Sequence, residues 1–272
     1  MSVTADLAII IRFKNSAVTL PSVLAALRAQ TTQPARIIGI DTGSTDSSPS
    51  LLSAAGAEII HWEQPYHHSR VLNFGMARIR EGFALILSSH TVLTSPGTIA
   101  AMLAQMAVPD TACVSGKWAE HDAWSDAITW SEIQRTGLRF CSVYSNSFGM
   151  LRRALWEKCP FDESLVTMED YAWALEQLQR GYTCRRVPFP FEYQRSAQPR
   201  EYVFAATTFH LAHRYGLAVK WLGVKGTLGA ITANVFRRFH KTPTPMHEHI
   251  QRLRAFLASR LSGGRFRPAT DC

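Results

Sequence analysis

One run constrains the fold more than any other: Arg36-Ile37-Ile38-Gly39-Ile40-Asp41-Thr42-Gly43-Ser44-Thr45-Asp46. Ile37 to Ile40 are apolar and mostly β-branched, which suits a strand covered on both faces. The strand ends on an acid, and a short polar loop follows. Open α/β sheets bind ligands outside the carboxyl ends of their strands. The junction therefore reads either as a ligand loop or as an ordinary strand-turn-helix connection. Gly43 lets the backbone turn tightly and approach a ligand, and Ser44, Thr45 and Asp46 can cap the helix that should follow.

The neighbouring sequence repeats the scheme. Ile9-Ile10-Ile11 reads as a strand ending in Arg12-Phe13-Lys14-Asn15. Thr19 and Pro21 suit a helix start, and Leu20, Leu24 and Leu27 fall on one stripe of it. That helix returns the chain to the Ile37 strand as a right-handed βαβ unit. Further helices are expected over 45–55, ended by Gly56, over 69–80, capped by Ser69, and over about 96–106. Further strands are expected at 58–61, 83–87 and through Cys113 to Ser115. This alternation predicts an α/β fold with a doubly wound, mostly parallel sheet.

A chain of 272 residues that is 46% hydrophobic can bury one full core and carry an appendage. The five cysteines are scattered, with no C-x-x-C and no zinc-like spacing, which suits a reducing compartment. Asp6 and Arg12 interrupt the first apolar residues, so no signal peptide is expected. No run reaches ~18 uninterrupted apolar residues; the best, 217–236, is broken by Lys220 and Lys225. Charge is uneven. Residues 1–200 hold 18 basic and 18 acidic side chains, whereas residues 201–272 hold 11 basic against Glu201, Glu248 and Asp271. A neutral body with a basic tail suits an anionic membrane surface and makes nucleic acid the weaker partner. The expectation is an α/β domain over 1–205, a basic helical region over 206–272, and a cytoplasmic protein peripheral to the inner face of a membrane.

The order of apolar strand, Asn15, helix, Gln30-Thr31, apolar strand and Asp41-x-Gly43-Ser44-Thr45-Asp46 resembles the opening of family-2 glycosyltransferases. Arg70-Val71-Leu72-Asn73-Phe74-Gly75 resembles that family's basic-x-x-Asn-x-Gly element. Phe161-Asp162-Glu163, followed by Glu169-Asp170 at a helix start and a helix ending at Gly181, resembles its acidic motif. The likeness covers about residues 7–195. It implies a GT-A fold and inverting transfer of a sugar from a nucleotide diphosphate to a hydroxyl of a glycan or lipid-linked acceptor, as in cell-envelope polysaccharide synthesis.

By that resemblance Asp41 binds the nucleobase, with Arg12, Lys14, Asn15, Gly43 and Ser44 around it. Arg70 and Asn73, with Ser88 and Ser89, lie near the ribose and diphosphate. Asp170 is the general base and Glu169 orients the loop or the acceptor. Asn146 and Trp173 border the acceptor. Simpler roles stay open beside these: Asn73 making a local helix hydrogen bond, and the two acids capping a helix. Trp118, Trp124 and Trp130, interleaved with His121, Asp122 and Asp126, suit sugar stacking in one reading and packing in the other.

The sequence departs from the family at the end of the 83–87 strand. Most relatives carry Asp-x-Asp there to grip a divalent cation; here Ser88-Ser89-His90 occupies the place, as in a subset with Leu-Ser-x-His. An imidazole can ligate Mn²⁺ or Mg²⁺ but brings no negative charge. His90 is thus the expected metal ligand, or else a histidine bonded to its own loop. Downstream, Phe191-Glu192-Tyr193-Gln194-Arg195-Ser196 stands where relatives often show a histidine, leaving His210, His213, Arg195 or Arg200 as substitutes. Two other function classes remain. A nucleotidyltransferase would need a Gly-rich phosphate loop after the first strand, which Arg12-Phe13-Lys14-Asn15 is not. An inactive nucleotide-sugar-binding relative would bind donor without turnover.

Overall fold

Period-2 alternation along the first strand sorts its side chains between two helical layers. The computed structural model describes residues 3–117, 127–138, 143–194, 201–219 and 246–261. Trp118, Trp124, Arg195, Arg200 and most of the basic tail lie outside them. In β1 (Val3–Phe13), Leu7, Ile9, Ile11 and Phe13 join one core cluster with Leu20, Val23, Leu24 and Leu27 of α1 (Leu20–Arg28). Met102 and Met106 of α4 (Thr98–Met106) close the same layer. The alternate residues Ala8, Ile10 and Arg12 face the other way, towards α3 (His68–Met76). A Cβ at Gly75 of α3 would stand 2.5 Å from Ile40 and 3.2 Å from Ile10, so glycine is what lets this helix lie close on the sheet.

The sheet has nine strands. Its order is β3 (Glu58–His61), β2 (Thr32–Asp41), β1, β4 (Phe83–Ser88), β8 (Phe148–Arg152), β6 (Thr111–Lys117), β9 (Thr183–Tyr193) and β5 (Thr91–Leu93), with β7 (Ala127–Ile128) also on β9. The first four strands run parallel. β8 is inserted antiparallel between β4 and β6. β6 and β9 are parallel to each other. Strands joined by helices bring their carboxyl ends to one edge of the parallel block, where a ligand site belongs.

The remaining helices are α2 (Ser48–Ala54), α5 (Trp130–Thr136), α6 (Arg153–Lys158), α7 (Glu169–Gln179), α8 (Glu201–Tyr215) and α9 (Met246–Leu261). The starts of α2 and α3, and the bonding of the α1 cap residue, differ from the sequence expectation. Thr19 is the N-cap residue of α1, as expected, but its hydroxyl makes no cap bond and donates to the Ser89 carbonyl at 2.7 Å. Ser69 does not cap α3; its hydroxyl donates to the Asp162 carbonyl at 2.9 Å, and the helix begins one residue earlier. α2 begins at Ser48, after the Thr45 amide has donated to Asn15 Oδ1 at 2.8 Å. The Thr19 and Ser69 hydroxyls and the Thr45 amide are taken up in ties between distant loops, while Asp46 accepts locally from the Ser48 amide at 3.0 Å.

The chain divides into two units: Met1–Trp130, Cys141–Ser164 and Glu169–Ser196 in one; Ser131–Phe140, Leu165–Met168 and Ala197–Cys272 in the other. The first holds the sheet. Within the second, α8 and α9 pack through Ala205, Ala206 and Phe209 against Ala255 and Phe256. Among the described residues no helix is long and apolar enough to cross a membrane.

Candidate active site

The loops after β1 and β2 are stitched together by their polar residues. Asn15 adopts φ 48°, a left-handed conformation that asparagine tolerates better than most residues. Its backbone amide donates to Ser44 Oγ at 3.1 Å and its side-chain oxygen accepts from the Thr45 amide. Gly43 turns the chain at φ 95°. Asp41, only 5% exposed, accepts from the Ser44 amide at 2.9 Å, while His61 Nδ1 stands 3.5 Å from its other oxygen. Lys14 and Gly43 are exposed on this rim. Asn15 is thus a brace of the rim, a task its expected place in the nucleotide pocket did not include.

The end of β4 is built differently from a metal cradle. Ser88 and Ser89 are both buried. Ser89 Oγ pairs with Ser16 Oγ at 2.8 Å and its carbonyl accepts from Thr19, so this hydroxyl is bound into the loop below. The His90 ring meets Tyr193 edge-on, with centroids 4.5 Å apart, and the His90 carbonyl accepts from the Gln194 amide. Among the described residues no three of His, Cys, Asp and Glu gather as metal ligands. A donor set of one imidazole and two buried hydroxyls, without a carboxylate, does not fit a resident divalent ion.

Arg12 lies in register with Ser88 on β4 and with Ile40 on β2. Asp41 is in register with Phe13, so alternation sends Arg12 and Asp41 to opposite faces of the sheet. Arg12 is therefore not beside Asp41, where the resemblance put it. Its Nη1 donates to Tyr66 Oη at 3.0 Å and lies 2.5 Å from His68 Nδ1. Tyr66 Oη and His68 Nδ1 are themselves 3.0 Å apart. An imidazole nitrogen facing a guanidinium N–H acts as acceptor, which places the proton of a neutral ring on Nε2. Burial pulls the Arg12 pKa down, but Tyr66, Glu169, Asp170 and Tyr193 together raise it, so the guanidinium stays charged.

The two acids open α7, and one residue holds both. The Asn146 amide donates to Asp170 Oδ2 at 2.8 Å and its side-chain Nδ2 donates to Glu169 Oε1 at 3.4 Å. Asp170 Oδ1 also accepts from the Tyr171 amide at 2.7 Å. Burial first, then the neighbouring Glu169, pushes the Asp170 carboxyl up to about 7; the amides of Asn146 and Tyr171 and the charge of Arg12 pull the other way. A carboxyl in that range is half ionised near neutrality and can accept a proton from an alcohol as it becomes a nucleophile. The chain enters the helix through Met168 at φ 61°, a sparsely populated conformation for a residue with a Cβ.

Several expected site residues have other tasks. Trp173 is 2% exposed, donates to the Cys159 carbonyl at 2.7 Å and packs on Tyr144 and Phe161. It is core, because it lies on the face of α7 turned into the protein, and it does not present a ring to an acceptor. Asn146 is buried as well and meets the acids, in place of the acceptor contact expected of it. Asn73 makes neither a local helix bond nor an open donor contact. Its Nδ2 donates to the Phe161 carbonyl and to Glu163, and its Oδ1 accepts from Trp156 Nε1 and the Phe161 amide. It fastens the acidic segment to α3. Arg70 is exposed and pairs with Glu163 at 3.4 Å. Sequence reasoning does not single out Tyr66, His68 or Tyr193. Tyr66-His67-His68 marks an irregular run, but its meeting with Arg12 requires contacts across more than fifty residues.

Residues 8–160 match the model of Glycosyl transferase family 2, more than half of the chain. The chain is a family 2 glycosyltransferase. This glycosyltransferase is 26% identical to the O-antigen chain rhamnosyltransferase RfbN of Salmonella typhimurium, over 64% of its own length and 61% of that protein's. It is also 26% identical to the O-antigen chain rhamnosyltransferase WbaN of Salmonella anatum, over 58% of its length and 55% of that one's. It thus spans less than two thirds of each of these relatives. Among solved structures, the mannosyltransferase PcManGT from Pyrobaculum calidifontis, in complex with GDP-Man and Mn²⁺, superposes with a TM-score of 0.65 at 15% identity. That alignment covers 97% of this chain and 81% of the neighbour, and establishes the shared GT-A fold.

Proposed function

We propose that this glycosyltransferase moves a sugar, with inversion, from a nucleotide diphosphate donor to a hydroxyl of a glycan or lipid-linked acceptor in envelope polysaccharide synthesis. The observation that carries the reading is Asp170. It is a carboxyl near neutrality, fixed by two backbone amides beside a charged arginine, at the helix start where the family's acidic motif falls. In the proposed reaction Asp170 takes the proton of the acceptor hydroxyl. The acceptor oxygen forms its bond to the anomeric carbon as the bond from that carbon to the diphosphate oxygen breaks, and the nucleoside diphosphate leaves with the electron pair. Asp41, with Lys14 and Ser44 at the rim, would hold the nucleobase end. Arg70 would lie towards the ribose and diphosphate. A divalent ion arriving with the donor would draw its ligands from the phosphates and only His90 from the described residues of this chain; no step here runs through it.

The test is direct. Purified protein incubated with a panel of nucleotide sugars and envelope glycan fractions is expected to release one nucleoside diphosphate and to lengthen the acceptor. Donor binding without release or transfer would identify an inactive relative. The rhamnosyl activity named for RfbN and WbaN makes a nucleotide-linked rhamnose the first donor to try.

The surplus of basic residues in 201–272 is the ground for proposing attachment to an anionic membrane surface, at the inner face where lipid-linked acceptors would be met. In this proposal residues 206–272 form a basic helical region that follows the 1–205 domain and makes the contact. Its apolar-basic segment around Trp221, Leu222, Val235 and Phe236 lies outside the described residues. Co-sedimentation with phosphatidylglycerol vesicles is expected at low salt, weakening as salt rises and disappearing on truncation after Tyr215. Equal binding to neutral vesicles, or binding to neither, would remove the proposal.

A further inference from the structure

Departure of a nucleoside diphosphate leaves negative charge that something in the site must meet. In this chain the strand end at Ser88-Ser89-His90 brings no carboxylate, and the Ser89 hydroxyl is bound to Ser16. On the same face of the sheet, the residue in register with Ser88 carries a fixed positive charge: Arg12. Two groups of different kinds hold its Nη1 edge, a phenol just before α3 and the imidazole of that helix's first residue. Neither is a carboxylate: a phenol oxygen and an imidazole nitrogen accept hydrogen bonds from the guanidinium. A guanidinium has five N–H donors, and both of these contacts fall on one nitrogen, Nη1.

We propose that Arg12 is the catalytic cation of this enzyme, taking the charge of the leaving diphosphate so that transfer does not require a divalent ion. The inference rests on the glycosyltransferase reading and goes further than it. The arrangement suits the task in three ways. The guanidinium fork matches two phosphate oxygens at once and needs no recruitment from solution. The tie to Tyr66 and His68 sets its direction before any donor arrives, which is what makes an electrostatic contribution effective. Asp170 and Glu169 lie within its field, so base and cation belong to one centre. When the acceptor proton passes to Asp170 and charge moves to the diphosphate, Arg12 loses part of one electrostatic partner as it gains another. Tyr66 and His68 then have a purpose that helix capping does not give them: they are positioning residues for the cation.

The test uses the full chain and isothermal titration with UDP, GDP and dTDP, each paired with its nucleoside, in EDTA and then in Mn²⁺. The diphosphate that binds is expected to do so in EDTA within about threefold of its Kd in Mn²⁺. Arg12→Gln is expected to weaken that diphosphate by about 10- to 100-fold, to change the nucleoside by less than about twofold, and to gain nothing from added Mn²⁺. Should Arg12→Gln fail to fold, Tyr66→Phe carries the test. It releases one hold on the guanidinium and is expected to weaken the diphosphate by about 3- to 10-fold without moving the nucleoside. A wild-type protein that binds diphosphate only with Mn²⁺, or an Arg12→Gln or Tyr66→Phe variant with wild-type diphosphate affinity, overturns the proposal. Transfer that stops in EDTA and returns with Mn²⁺ overturns it too, while leaving the glycosyltransferase reading intact. If none of the three diphosphates binds under either condition, the donor reading itself fails.

Discussion

Asp170→Asn is expected to lower turnover by about 10²- to 10⁴-fold while donor affinity stays within a factor of about three. The amide cannot accept the acceptor's proton, but it keeps the size of the carboxyl and one of its two hydrogen bonds to the amides of Asn146 and Tyr171. Glu169→Gln should do much less, because that carboxyl is buried against Asn146. The pH dependence separates catalysis from capping. Wild-type turnover should rise as the Asp170 carboxyl ionises around pH 7, and the residual activity of the variant should lack that rise. Stability moves oppositely. The folded pKa is raised above its ordinary value of 3.8, so the native state binds the extra proton between about pH 4 and 7. The associated stability is fully present below that interval and is lost as pH rises through about 7. Melting temperatures of the variant relative to wild type should therefore increase from pH 4 to pH 8. Wild-type turnover in Asp170→Asn, or loss of turnover in Glu169→Gln alone, would move the base elsewhere.

Asp41→Ala should raise the donor Kd by about 10- to 100-fold, the size expected from losing a hydrogen bond to a charged group worth about 1.5–3 kcal/mol. Turnover at saturating donor should change only a few-fold, since the nucleobase lies far from the reacting carbon in the proposed pose. The structure adds a complication that a second variant resolves. Asp41 also accepts from the Ser44 amide, so removing it loosens the rim as well. Asp41→Asn preserves an oxygen for Ser44 and removes the charge. If Asn binds donor as well as wild type while Ala does not, Asp41 is a scaffold for the loop and does not read the nucleobase.

The parallel block was legible because apolar strands announce themselves by side-chain type. Ile9–Ile11, Ile37–Ile40 and Phe83–Leu87 all became strands, and the order of strands and helices led to a GT-A sheet. The helix start carrying Glu169 and Asp170 was legible because two acids at a helix start are a local pattern. What could not be read was the direction in which polar side chains reach. Thr19, Ser69 and Asn73 each offer a helix-capping or local helix bond in the sequence, and each reaches a segment 70 to 93 residues away. Trp173 reads as a recognition aromatic until α7 is placed and turns it inward. Arg12 looks like a neighbour of Asp41 because the two occupy equivalent strand ends. Only the register, which offsets them by one residue, sends them to opposite faces.

The ties between Asn15, Ser44 and Thr45, between Asp41 and Ser44, and between Ser16 and Ser89 have a kinetic consequence. They give three strand-end loops a common fate: one cannot peel away without breaking bonds that hold another. Opening should then be a single cooperative event, with the Thr45, Ser44 and Ala17 amides exchanging their hydrogens together rather than one by one. A nucleotide arriving at such a rim meets a surface whose conformational entropy has already been lost during folding. Its affinity is reduced little by ordering the protein, and its arrival rate should be governed by diffusion and charge rather than by waiting for a loop to close.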